Sequence, residues 1–176
     1  SHQHPDGFIC REIHSDGSDC FERFDPVSTG PNLLPMAEMK FFRQYGDTDR
    51  LFRVFSALCA YNRWLRLNHT WPDGSYWSSG WGSGMDNMPR VGEEYNPIYS
   101  HGHMTWLDTM LQQYMVDRLL LEMGFYIERW QEIEDFEDEM KFIRKYVNEK
   151  MWDEKTGFLY DRRADGSLCD AKGIHA

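Results

Sequence analysis

The chain has 176 residues, 41% of them hydrophobic, and a formal net charge of −10. That length suits one ordinary domain, and 7 Trp, 9 Tyr and 11 Phe supply a core, which excludes a disordered chain. An acidic balance with no Lys/Arg cluster argues against nucleic acid and anionic lipid as partners, and no apolar run nears the roughly 20 residues of a membrane span.

Residues 1–35 read as irregular, punctuated by Pro5, Gly7, Gly17, Pro26, Gly30, Pro31 and Pro35, with a short extended piece in "DGFICREI". After Pro35, "MAEMKFFRQYG" predicts a helix that stops at Gly46. Asp47 or Thr48 then caps a second helix, with Leu51, Val54, Phe55, Leu58 and Leu65 at helical spacing and Asn62 as the polar exception. Residues 69–103 break every periodicity; they are rich in Gly, Trp and Tyr, which suits an ordered functional loop better than disorder. A third helix is expected from about Met104 to Met123, with Leu107, Leu111, Tyr114, Met115 and Leu119 inward and Gly124 as its stop. A fourth is expected from about Glu128 to Met151, with Trp130, Ile133, Phe136, Met140, Ile143, Val147 and Met151 as its seam. Within it, "EIEDFEDE" reads as a solvated face. The segment "TGFLYDRRADGSLCD" reads as two short strands around a turn at Gly166. The class is therefore all-α: antiparallel helical hairpins set as a toroid or solenoid, with long loops and a small β-hairpin, in one domain over 1–176 with no internal boundary. No motif recurs at a fixed period, so an ordinary helical-repeat family is not supported.

The chemistry concentrates in "DGSYWSSGWGSGMDNMPR", residues 73–90. Sugar rings have apolar C–H faces and hydroxyl edges, so a sugar cleft combines exposed aromatic rings with Asp, Asn and Arg. Glycines let the backbone come close. Asp86 is the candidate general acid: a glycosidic oxygen leaves only when protonated, and Met and Trp neighbours would desolvate the carboxyl and raise its pKa. Asn87 is a candidate for holding a sugar hydroxyl. Arg90 either anchors the loop or lowers the pKa of Asp86, which would oppose the acid role. The competing reading is an aromatic structural loop in which Asp86 caps backbone amides.

Cys10, Cys20, Cys59 and Cys169 form no CxxC pair, which favours free thiols in a reducing compartment such as the cytoplasm over a Cys10–Cys20 bridge. His101 and His103 lack an evident third metal ligand in sequence, so no metal is expected, and no phosphate loop follows a predicted strand. No cofactor is expected.

The segment "GMDNMPR" resembles the G-x-D-N-x-P-R stretch of glycoside hydrolase family 63 and its relatives, which include mannosylglycerate hydrolases and processing α-glucosidase I, with trehalases more distant. "HPDGFICREI", "TGPNLLPMAEMKFFRQYGD", "RWLRLNHTWPDGSYW", "HMTWLDTMLQQY" and "KMWDEKTGFLYD" resemble further family segments in family order. The resemblance implies an (α/α)6 barrel that hydrolyses α-glycosidic bonds with inversion. It places the acid on Asp86 and sugar contacts on Trp77, Trp81, Asn87 and Arg90, with Arg11 and Glu12 near the cleft and Asp108 and Gln112 as polar support. Met88 departs from the pattern, standing where many members have Ser. The family's base, a Glu, would lie outside this chain; Glu93 and Glu94 are the alternatives within it. Four helices are about a third of a twelve-helix barrel, so the chain reads as a partial catalytic domain whose apolar faces need the remainder of the barrel or self-association. The alternatives to a hydrolase are a non-catalytic carbohydrate-binding protein and a helical-hairpin scaffold.

Overall fold

Pro35 sits in the first turn of helix α1 (Leu34–Tyr45), where its missing N–H costs nothing. Gly46 closes that helix in the left-handed region, at φ 68°, with its amide on the Phe42 carbonyl. Asp47 accepts from the Arg50 amide and opens α2 (Thr48–Asn68), so a two-residue link folds α1 and α2 into a hairpin. The computed structural model describes residues 2–171. Beyond α2 the chain makes a single helical turn, α3 (Gly80–Ser83), inside a long irregular segment, then α4 (Leu107–Tyr126) and α5 (Glu134–Tyr146). A π-turn at Val147–Met151 leads into strands β1 (Trp152–Asp153) and β2 (Phe158–Leu159), which pair antiparallel.

Helices α2 and α4 run antiparallel. Arg129, just past α4, reaches Ser56, while Asn62, further along α2, meets Gln113 and Asp117, earlier on α4. Between α1, α2, α4 and α5 lies the main core, with Met39, Phe55, Leu120, Met123, Ile133 and Phe136 excluded from water. Each such side chain contributes about 1.5–3 kcal/mol through burial. A second cluster joins Tyr76 and Met110 to Ile143, Val147 and Met151. The amino-terminal segment is tied to α2 by Phe8 and Cys10 against Tyr61 and Trp64. Gly7, at φ 101°, is required there: a Cβ would stand 2.4 Å from the Ala60 carbonyl oxygen.

Four expectations from the sequence are corrected. First, α4 begins at Leu107 rather than Met104, because Thr105 pairs with Arg162 and the Trp106 amide donates to the Tyr76 carbonyl, both in extended backbone. It also runs through Gly124 to Tyr126. Gly124 is a point of close packing, where a Cβ would meet Ile133 Cδ1 at 2.5 Å. Second, Leu111 is 42% exposed, while Gln113 and Asp117 face inward; α4 touches α1, α2 and α5, so its buried side is wider than one aliphatic stripe.

Third, the single helix expected over 128–151 is broken. Glu128 adopts φ 58° and the Arg129 amide returns to the Gly124 carbonyl, closing α4; a 3₁₀ turn at Trp130–Glu132 follows, and Trp130 stays 43% exposed. Fourth, the strand pair lies around Gly157, with only an isolated bridge, Arg162 to Leu168, across the Gly166 turn.

The acidic stretch at 132–139 is solvated only in part. Glu134, Glu137 and Asp138 are exposed. Asp135 forms ion pairs with Arg63 and Arg66, and Glu139 is buried, accepting from the Tyr76 hydroxyl. Beside it lies fully buried Asp117, whose Oδ1 accepts from Asn62 Nδ2 at 2.8 Å and from Gln113 Nε2 at 3.1 Å. Burial, with the Glu139 carboxyl nearby, pushes Asp117 up to about 9, and burial raises Glu139 as well.

A carboxyl raised above its unfolded value favours the fold while protonated and loses that contribution as pH climbs through the native pKa. Wild-type stability should therefore fall as pH rises from about 4 towards 9. Asp117→Asn keeps the acceptor and removes the titration. Urea unfolding across that range should show the variant gaining on wild type by on the order of 1–3 kcal/mol at the alkaline end. Parallel pH profiles for the two proteins would contradict a protonated Asp117.

Candidate active site

The loop carrying Asp86 is built from its two ends. On the amino-terminal side, Ser79 caps α3 by accepting from the Gly82 amide and donates to the Pro26 carbonyl, and Gly84 closes the turn at φ 78°. On the carboxy-terminal side, Arg90 is buried, with its side chain 2% exposed. Its Nη1 and Nη2 donate to the two Asp108 oxygens at 3.0 and 2.9 Å, and Nη1 also reaches Asp161 Oδ1 at 3.4 Å. The guanidinium lies 4.2 Å over the Trp106 ring. Asp161 Oδ1 in turn accepts the Leu107 amide at 2.7 Å, so one carboxylate ties the α4 amino terminus to the loop anchor. Burial pushes the Asp161 carboxyl up to about 6, although the Arg90 charge and the Leu107 amide both pull it down.

Arg90 is thus the anchor of the loop. Its guanidinium contacts Asp108, Asp161 and the Trp106 ring, while its Nε is without a hydrogen-bond partner among the described residues. Asp108, expected as polar support for the cleft, is paired with Arg90. Asp161 went unrecognised in the sequence, because a lone Asp after a strand carries no local signal of a partner 71 residues away.

Asp86 is exposed, and among the described residues no group takes its oxygens in a hydrogen bond or ion pair. The apolar wrapping expected from Met85 and Met88 is not formed around it; both sulfurs turn to Arg90 Nη2, at 3.7 and 3.1 Å. Asn87 is also exposed. Arg11 lies beside the loop, donating to the Trp81 carbonyl at 2.7 Å with its guanidinium 4.8 Å from the Trp81 ring centroid. Glu12 is exposed beside it, 3.6 Å from Arg11 Nε. Trp81 packs edge-on against Phe21 and Tyr99. Trp77 stands apart from these, stacked on His69 at 4.4 Å and edge-on to His101. The structure therefore brings Arg11, Glu12 and Trp81 together on the Asp86 loop, and sets Trp77 in a neighbouring aromatic cluster.

His101 and His103 join that cluster with Trp71, their rings 4.7 Å apart, and burial lowers the His101 pKa. Among the described residues no three His, Cys, Asp or Glu are placed to hold a metal ion, and no helix is long and apolar enough to cross a membrane. All four cysteines are free thiols.

The family model for the mannosylglycerate hydrolase MGH1-like glycoside hydrolase domain matches residues 2–176. The chain belongs to this glycoside hydrolase family. No curated protein matches it significantly. Among solved structures, it is similar to a GH63 mannosylglycerate hydrolase from Thermus thermophilus in complex with Tris, at 18% identity and TM-score 0.67, covering 97% of this chain and 56% of that one. It is also similar to an uncharacterized conserved protein from the same organism, at 18% identity and TM-score 0.69, covering 95% and 52%. A sialidase is similar over 69% of this chain and 11% of its own length, at 16% identity and TM-score 0.56. The helical hairpins are thus those of an (α/α)-barrel-type glycoside hydrolase fold, and the chain spans about half the length of the two Thermus thermophilus structures.

Proposed function

We propose that the protein is a glycosidase that hydrolyses an α-glycosidic bond of a neutral oligosaccharide or small glycoside with inversion, with Asp86 as general acid. The observation that carries this reading is the contrast along one loop. Arg90 is locked by two carboxylates, while Asp86, four residues away, keeps both oxygens free of any partner among the described residues. A clamped loop that offers an unengaged carboxyl suits a group whose partner is the substrate. Family membership supports the same reading.

In this mechanism Asp86 protonates the glycosidic oxygen as the bond to the anomeric carbon breaks. A water on the opposite face, activated by a second carboxylate about 6.5–9.5 Å away, attacks that carbon. We assign the base to a Glu outside this chain. Trp81 and Arg11 flank the sugar, and Asn87 meets a hydroxyl. Because Asp86 is exposed, the water exclusion that an acid needs must come from the bound sugar and from chain that packs over the loop. The exposed Leu67, Phe125 and Tyr126 are the surfaces we assign to such packing or to self-association.

That same exposure favours a second reading, a carbohydrate-binding protein without turnover. Incubating the complete protein with α-linked and β-linked glucosides and mannosides separates the two. Release of reducing sugar from the α series alone is expected. Quenching of Trp fluorescence by sugars without any product would support the binding reading instead.

A further inference from the structure

The chain that follows β2 grips the Asp86 loop at Arg90. Asp161, two residues past β2, brings both oxygens to 3.4 Å from Arg90 Nη1, and its Oδ1 also accepts the Leu107 amide at 2.7 Å. From the same segment the Cys169 thiol donates to the Arg90 carbonyl at 3.4 Å. The backbone on either side of Asp161 is itself pinned: the Tyr160 amide donates to the Met151 carbonyl, and Arg162 exchanges two hydrogen bonds with Thr105. The Asp161 and Arg90 side chains are 3% and 2% exposed, so this grip is made out of water. Asp86 sits four residues before Arg90, in a turn closed by the Met88 amide on the Met85 carbonyl and the Arg90 amide on the Met88 carbonyl. A turn that short passes a shift of Arg90 on to Asp86.

Fold stability gives no reason for a charge at this position. Burial pushes Asp161 up to about 6 against the pull of Arg90 and the Leu107 amide, and the Asp108 carboxylate adds repulsion. A carboxyl raised in this way favours the fold while protonated, and that contribution is lost as pH climbs through about 6. Near neutral pH a neutral amide accepting the same Leu107 N–H would suit the fold as well or better. Nor does Arg90 need a second counter-ion, since Asp108 already takes two hydrogen bonds from it, at 3.0 and 2.9 Å. What the Asp161 carboxylate adds is a second fixed point: Asp108 holds the guanidinium from α4, Asp161 holds it from the segment after β2, and together they stop it pivoting. We propose that Asp161 is a positioning residue for the general acid, setting where Asp86 stands by holding Arg90 and the first amide of α4 with one carboxylate. This role rests on Asp86 being the acid, and it names the group that keeps that acid in line with the glycosidic oxygen. Alignment is worth this much structure, because a misplacement of about 1 Å can cost on the order of 10²-fold in rate.

The test uses the complete protein with Asp161→Asn, alone and combined with Asp86→Asn. Each is assayed on an unactivated α-glycoside and on the matching glycosyl fluoride, with Tm measured alongside. Asn keeps the acceptor for Leu107 and removes the charge, so Tm near neutral pH should hold or rise. On the unactivated glycoside kcat should fall by about tenfold or more, with KM within about threefold of wild type and a smaller loss on the fluoride. In the Asp86→Asn background the second change should cost nothing further, because with the acid gone there is no proton donor left to position. Turnover within about threefold of wild type, equal losses on the two substrates, or a loss that multiplies with that of Asp86→Asn would make Asp161 a structural residue and overturn the proposal. If Asp161→Asn does not fold, Asp161→Glu, which keeps the charge on a longer side chain, carries the same comparison. Asp86→Asn with wild-type turnover would count against the acid reading itself; a loss confined to Asp86→Asn would count against the role of Asp161 alone.

Discussion

Asp86→Asn in the complete protein should lose about 10²–10⁴-fold in turnover of an unactivated α-glycoside, the range that a positioned general acid contributes. Affinity for the sugar should change little, because Asn is isosteric and Asp86 makes no ion pair or hydrogen bond among the described residues that the substitution would break. The loss should shrink with a glycosyl fluoride or dinitrophenyl glycoside, whose leaving group departs without a proton. That dependence separates an acid from a residue that merely shapes the loop, which would be missed equally by every substrate. Stability should also hold, since the side chain is exposed. An equal loss on activated and unactivated substrates would remove Asp86 from the acid role.

The second large effect belongs to Arg90. Arg90→Met should cost about 3–5 kcal/mol, the penalty for leaving a buried charge without its partner. Asp161 is then stranded with its side chain 3% exposed, and Asp108 loses a bidentate partner. Pairing the change with Asp161→Asn should recover part of the loss, because one stranded charge is gone. Any fall in activity should follow from a loosened loop, and so should appear with a lowered Tm. An Arg90→Met protein with unchanged Tm and a raised KM would show instead that Arg90 contacts the sugar.

The helical hairpins were legible because their signals are local. Gly46 and Asp47 mark one helix end and the next start within two residues, and the apolar spacing of Phe55 and Leu58 survives in the core. The aromatic, glycine-rich loop stood out for the same reason. Long-range pairings did not. Nothing near Arg90 announces Asp161, and nothing in a run of acidic residues marks Glu139 as the one that turns inward to Tyr76. Asp117 meets Asn62 only because the fold packs α2 against α4. The exposure of Asp86 escaped for a related reason: Met85 and Met88 are its neighbours in sequence, but Arg90 claims their sulfurs.

Proton NMR of the anomeric signals of the sugar first released from an α-linked substrate by the complete protein tests the central claim most directly. Attack by water opposite the protonated leaving group predicts that the β-anomer accumulates first and then mutarotates. Early accumulation of the α-anomer would contradict an inverting site built around the Asp86 loop.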